Sequence, residues 1–154
     1  MIAQSVMDTR FHSLLPEQTI VEAIRLFEKA GKKKKKKIFG MMVIDADDRL
    51  VGMLSMYDIL LFIQPKHMRI LGEMEDLSYE PIFQGLVNRV KKIRVEDIMS
   101  TDLVTIKPDT HLMVVVDMMT KKRIRRLPVV QEDRVVGIVY RSSVFDHLMK
   151  MLID

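Results

Sequence analysis

The 154-residue chain has no cysteine, which excludes disulfides, thiolate metal sites, CxxC redox chemistry and cysteine nucleophiles. Aromatic residues make up only 6% and tryptophan is absent, so an interior must be built from aliphatic side chains and the 14 methionines, which are adaptable core fillers more often than cofactor ligands. No apolar run approaches the ~18 residues of a membrane span. The opening MIAQSVMDTRFH lacks the basic segment and apolar core of a leader. The expectation is a soluble, cytoplasmic protein with no membrane span. Charge of one sign is also scarce once one feature is set aside. Six of the 25 basic residues form the run Lys32 to Lys37, and the other 19 are outnumbered by 21 acidic residues. The high pI is therefore a local property and does not argue for a surface built to bind nucleic acid.

Hydrophobic residues, at 48%, are sufficient for a core at this single-domain size. Their arrangement repeats. Ser5 to Gly31 lies over Asp97 to Arg123 at an offset of 92, with Met7 on Met99 and Pro16 on Pro108. Beyond the lysines the offset becomes 86, with Ile38 to Asp45 over Ile124 to Gln131, and a further one-residue change pairs Gly52 with Gly137. Lys32 to Lys37 are thus an insertion in the first copy.

Each copy reads as β-α-β-β-α. A short extended piece (Ser13 to Leu15; Leu103 to Ile106) ends at Pro16 or Pro108, where a helix of about a dozen residues can begin. A strand follows (Met41 to Ile44; Leu127 to Val130), then an acidic turn, a second strand (Leu50 to Leu54; Val135 to Val139) and a last helix (Met56 to Ile63; Ser142 to Leu152). The fold class expected is α/β (α+β), two such repeats about a pseudo-twofold axis: residues 1–64, a helical connector 65–94, and residues 95–154. In the connector, Pro81 suits a helix start and Ile82, Phe83, Leu86, Val87 and Val90 share one face. The helix within His111 to Thr120 is apolar nearly all round. It needs cover on two sides, which points to a homodimer.

Two such copies, with VEDIMSTDLVTIKPDTHL, RRLPVV and RVVGIVYRSSVF, resemble a tandem pair of cystathionine-β-synthase (CBS) domains, a Bateman module. No other domain is attached, so the chain resembles a stand-alone pair. The resemblance implies a non-catalytic regulatory module that takes AMP, ADP, ATP, S-adenosylmethionine or NAD in clefts between the copies, with no required cofactor. The family's G-h-x-[ST]-x-x-D pattern is met by Gly52 to Asp58, with Ser55, Tyr57 and Asp58 at the ligand and Asp58 on the ribose hydroxyls. A carboxylate suits that task, and a helix N-terminus favours phosphate. Ser55-x-x-Asp58 is equally a capping-box variant, and the two roles can coexist. The resemblance completes this cleft with Ser100, Val104, Thr105, Ile124 and Arg125. A second cleft would use Ile38, Phe39, Arg126, Tyr140, Ser142 and Ser143. There the pattern departs, with Tyr140 at the Ser/Thr position and Ser143 where the ribose Asp belongs, so weak, altered or no binding is expected.

Other chemistries have little support. His12, His67, His111 and His147 lack metal-ligand spacing, the acidic turns lack a calcium-loop pattern, and no Walker loop, GxGxxG or nucleophile motif is present. Neither a metal site nor an enzyme is expected. The alternatives are a ligand-free scaffold that docks an unknown regulated protein, and polyanion or nucleic-acid binding through the lysines. These read as a solvated loop after Gly31, a suitable helix C-cap, and the lack of interleaved aromatics beyond Phe39 disfavours nucleic acid.

Overall fold

A computed structural model describes residues 1–64 and 80–154. His67 and the connector from Pro65 to Tyr79 lie outside the described residues. The chain is α/β, and it forms two compact units: one of residues 13–43 and 51–101, the other of residues 1–12, 44–50 and 102–154.

In the first unit, strands β1 (Ser13–Leu14), β2 (Gly40–Ile44) and β3 (Leu50–Ser55) make one sheet in that order, with β1 parallel to β2. Helices α1 (Ile20–Lys34), α2 (Met56–Ile63), α3 (Glu80–Lys91) and the short α4 (Val95–Ile98) belong to it. Leu14, Ile20, Ala23, Val43, Leu54 and Val95 are buried in its core. In the second unit, α5 (Leu112–Lys121) precedes the antiparallel pair β4 (Arg126–Gln131) and β5 (Arg134–Tyr140), and α6 (Arg141–Ile153) follows. Ile106 bridges Val129 in parallel, the counterpart of β1 on β2. Its core holds Ala3, Leu112, Val115, Leu127, Val129 and Val139.

Pro16 and Pro108 do not start the helices. Both lie four residues ahead of them, and Thr19 and His111 are the caps. Thr19 wins because its side chain accepts from the Glu22 backbone N–H at 3.2 Å while the Glu22 carboxylate accepts from the Thr19 N–H at 2.7 Å, a reciprocal capping box. The Thr19 backbone N–H first, and then the Thr19 hydroxyl that donates to the same carboxylate at 3.1 Å, hold the Glu22 carboxyl below its ordinary value. In α3, only the C-terminal part of the expected face packs. Val90 is buried and Leu86 and Val87 are half-buried, but Ile82 and Phe83 are exposed. The Arg89 guanidinium stands 4.8 Å from the centre of the Phe62 ring.

The lysine run is not one loop. Lys32 to Lys34 are the last residues of α1, and the left-handed residue that ends the helix is Lys35, at φ 52°, rather than Gly31. The Lys36 N–H donates to the Gly31 carbonyl at 3.0 Å and the Lys35 N–H to the Lys32 carbonyl at 3.3 Å, the paired bonds of a Schellman closure. Gly31 matters through space: a Cβ there would stand 2.8 Å from the Lys36 carbonyl oxygen. The second copy closes α5 alike, with Arg123 at φ 52° and the Ile124 N–H donating to the Met119 carbonyl.

Gly31→Ala is expected to destabilise the protein by about 1–3 kcal/mol, because the blocking atom is backbone. Lys35→Gly is expected to stabilise it by up to about 1 kcal/mol, by relieving a side chain from the left-handed region. Urea midpoints of the two variants against the parent check both signs.

Candidate functional site

The Gly52–Asp58 segment runs from the middle of β3 into α2. Gly52 is buried because another backbone lies across it. A Cβ would collide with the Met99 sulfur and stand 3.1 Å from the Ser100 carbonyl oxygen. Beside it, Met53 and Ser100 exchange two backbone hydrogen bonds, each 2.9 Å. Ser100, one of the residues expected at the cleft, is thereby paired with Met53, two residues before Ser55.

At the end of β3 the chain turns into α2 through a capping box. The Asp58 Oδ2 accepts from the Ser55 backbone N–H at 2.7 Å and from the Ser55 hydroxyl at 2.8 Å, and the Ser55 Oγ accepts from the Asp58 N–H at 3.2 Å. The carboxylate is half-buried, and Tyr57 beside it is 67% exposed. The cap engages Oδ2, leaving Oδ1 outside these three bonds. The Met56 N–H donates to the Phe39 carbonyl at 2.8 Å, so the segment ahead of β2 is tied to the start of α2. Phe39 is exposed and Ile38 half-buried.

The second unit repeats this frame. Gly137 has the Met7 sulfur and the Asp8 carbonyl against it. Asp8 and Ile138 exchange backbone hydrogen bonds at 2.8 and 3.0 Å, and the Arg141 N–H donates to the Arg125 carbonyl at 2.9 Å. Asp8 thus stands where Ser100 stands in the first unit. Sequence reasoning missed it, although the pairing of Met7 with Met99 carried the signal. The cap differs, since Tyr140 starts α6 with no side-chain bond to the helix.

Of the residues expected at one cleft, Ser55, Tyr57, Asp58 and Ser100 belong to the first unit, and Val104, Thr105, Ile124 and Arg125 to the second. Of the alternative set, Ile38 and Phe39 belong to the first unit, and Arg126, Tyr140, Ser142 and Ser143 to the second. Arg125 and Ser142 are exposed, and Arg126, Tyr140 and Ser143 are half-buried. The His111 Nδ1 caps α5 by accepting from the Met113 N–H at 3.2 Å. Among the described residues no three His, Asp or Glu side chains converge as metal ligands.

The CBS domain family model matches residues 3–65 and 95–150. The chain belongs to the CBS domain family. An uncharacterized protein of Methanocaldococcus jannaschii, MJ1426, is 30% identical over 146 residues, which are 86% of this chain and 83% of that one. The chloroplastic CBS domain-containing protein CBSX1 of Arabidopsis thaliana is 28% identical, over 86% of this chain and 57% of its own length. The fold matches that of CBSX2 from Arabidopsis thaliana solved in complex with AMP, with a TM-score of 0.71 at 23% identity over 98% of each chain. It also matches the CBS domain pair of MJ0100 in complex with 5′-methylthioadenosine and S-adenosyl-L-methionine, with a TM-score of 0.68 at 20% identity over 98% of each chain.

Two substitutions separate the frame from the cap. Gly52→Ala is expected to cost about 1–3 kcal/mol, as Met99 and the Ser100 backbone must move. Ser55→Ala should cost about 1 kcal/mol through the lost cap. Chemical denaturation of each variant measures the difference.

Proposed function

We propose that the chain is a non-catalytic regulatory module whose ligand is an adenine nucleotide or adenosyl compound, with Asp58 as the ribose ligand. The observation that carries this reading is the Ser55–Asp58 turn. Its carboxylate is oriented by two hydrogen bonds to one oxygen, so the other is presented in a set direction at the head of α2. Preorganised acceptors of this kind suit a vicinal diol. The complexes of CBSX2 with AMP and of MJ0100 with methylthioadenosine and S-adenosyl-L-methionine support the ligand class. Ser100, Val104, Thr105, Ile124 and Arg125 would complete that cleft. A second, around Ile38, Phe39, Arg126, Tyr140, Ser142 and Ser143, would bind less well, since Ser143 offers one hydroxyl and no charge. To regulate, the ligand must favour one arrangement of the two copies over another.

A ligand-free scaffold is the second reading, and α5 favours it. Leu112, Val115 and Met119 are buried, whereas Met113 and Val114 are 63% and 49% exposed. The uncovered side suits a homodimer or a regulated partner protein.

Thermal unfolding with AMP, ADP, ATP, S-adenosylmethionine and NAD tests the proposal. At 100 times its dissociation constant a ligand adds about 2.7 kcal/mol, or roughly 5–10 °C for a chain this size. Asp58→Asn retains an amide oxygen for the cap and removes the charge. It should fold yet lose most of the ligand shift, and Ser143→Asp should add a second binding event by calorimetry. Equal shifts in Asp58→Asn and the parent would remove Asp58 from the site. No shift with any of the five leaves the scaffold reading.

A further inference from the structure

The β4–β5 pair has two ends, and the nucleotide reading uses only the one where Arg126 faces Tyr140. At the other, where Gln131 faces Arg134, a cavity of about 380 Å³ lies within the second unit. This is at the small end of the ~300–1,000 Å³ usual for small-molecule sites. Its apolar wall is Pro108 and Val130, both half-buried, and its polar lining is Gln4, Lys107, Asp109, Gln131 and Glu132, all exposed. Backbone bonds fix the frame. The Gln4 N–H donates to the Pro108 carbonyl, the Lys107 N–H to the Thr110 Oγ1 and the Val130 N–H to the Ile106 carbonyl, each at 2.9 Å. Among the described residues, none of the five polar side chains is engaged in a hydrogen bond or an ion pair. Glu132 and Asp133 make the two-residue hairpin turn at φ 51° and 62°, where glycine or asparagine is favoured. Glu132 is thus held in a left-handed conformation at the edge of the cavity, the kind of strain that gathers at functional positions. At the offset of 92 the first copy has Leu15 in place of Lys107 and Glu96 in place of Gln4, so it lacks the cation.

We propose that this cavity binds a free basic α-amino acid, arginine, lysine or ornithine, with its carboxylate on Lys107 and its two cationic groups on Asp109 and Glu132. Charge decides the class. The lining carries one ammonium and two carboxylates, so a ligand with one carboxylate and two cationic groups matches it group for group and cancels its net charge. Gln4 and Gln131 donate and accept, and serve either end. The phosphates of a nucleotide would meet Asp109 and Glu132, and no aromatic side chain lines the cavity for a base. A diamine leaves Lys107 without a partner, and an acidic amino acid brings a second carboxylate against the two already there. A divalent cation would face the Lys107 ammonium, and among the described residues no three His, Asp or Glu side chains converge to hold one. None of the residues of the nucleotide reading takes part.

The test is titration of the full chain with L-arginine, L-lysine and L-ornithine, followed by the shifts of its backbone amides in NMR spectra. Agmatine, which lacks the carboxylate, L-citrulline, which lacks the side-chain charge, and L-glutamate serve as comparisons. Arginine should shift the amides of Gln4, Asp109 and Glu132 and leave those of Ser55 to Asp58 in place. Agmatine and citrulline should each bind about two- to fivefold more weakly than arginine, on the scale of one exposed ion pair. Lys107→Gln should weaken arginine by that factor and leave agmatine unchanged, whereas Glu132→Gln should weaken both. The two positions are exposed, so both variants should keep the parent's unfolding midpoint within a few degrees. Equal affinity for arginine, agmatine and glutamate, or an equal loss of arginine and agmatine in Lys107→Gln, overturns the proposal. So does the absence of shifts with all three basic amino acids, or shifts confined to Ser55 to Asp58.

Discussion

Both units depend on a short piece of backbone supplied from far away in sequence. Residues 1–8 pack in the unit of the second repeat, and residues 93–100 in that of the first. Their hydrogen bonds correspond one for one. The Ile93 carbonyl accepts from Ile20 and the Met1 carbonyl from Leu112. Val95 donates to Gln18 as Ala3 donates to Thr110, and Glu96 donates to Pro16 as Gln4 donates to Pro108. Every pair is related by the offset of 92. The segment then crosses the outer strand at Met53 or Ile138. It thereby satisfies the first N–H of α1 or α5, donors that a helix start leaves open, and covers an edge of β3 or β5 that would otherwise present unpaired groups. Val95 and Ala3 are fully buried at its centre. Gly52 and Gly137 follow from this constraint, since only a residue without Cβ lets the crossing backbone approach.

On this shared frame the copies diverge at one turn. In the first, the Asp58 carboxylate serves the cap through one oxygen, which orients the other at no further conformational cost. In the second, the Arg141 N–H donates to the Arg125 carbonyl, Tyr140 makes no side-chain cap, and Ser143 stands at the position that Asp58 holds in the first. The structural role of Asp58 and the ligand-binding role proposed for it would therefore rest on one geometry, because the hydrogen bonds that hold the helix also aim the acid.

The repeat, the order of elements and the limits of α2 were legible because each is written locally, in apolar period, turn residues and a capping pair. What was misread is governed by contacts distant in sequence or by conformations without a residue signature. The exchanged leading segments leave as a trace only Gly52, Gly137 and the pairing of Met7 with Met99. The four-residue α4 is too short to show a period. Pro16 and Pro108 are permissive at a helix start, but the Thr19–Glu22 bonds set the start of α1 further on. Gly31 beside a charged run reads as a helix end, yet the helix passes through it and stops at a lysine in the left-handed region, where sequence preference points to glycine or asparagine. The exposed Ile82 and Phe83 show the same limit, since periodicity marks an apolar face without saying how much of it is covered.

The six inserted lysines show how a chain absorbs extra length without losing register. From the first helical residue to the left-handed one is 15 positions in the first copy, Ile20 to Lys35, and 11 in the second, Leu112 to Arg123. From there to the strand is 5 positions, to Gly40, and 3, to Arg126. Four of the six residues therefore extend the helix and two extend the connection. Four residues are about 400° of helix, so the chain leaves α1 within about 40° of the direction it would otherwise have taken, but about 6 Å further along the axis. Two extended residues span about 6–7 Å, which is the length needed to return to the start of β2. A split of three and three would turn the exit by about 60° the other way. Lengthening by one turn and returning by two residues keeps Ile38 against the core, and it leaves an added wall of lysines beside α2.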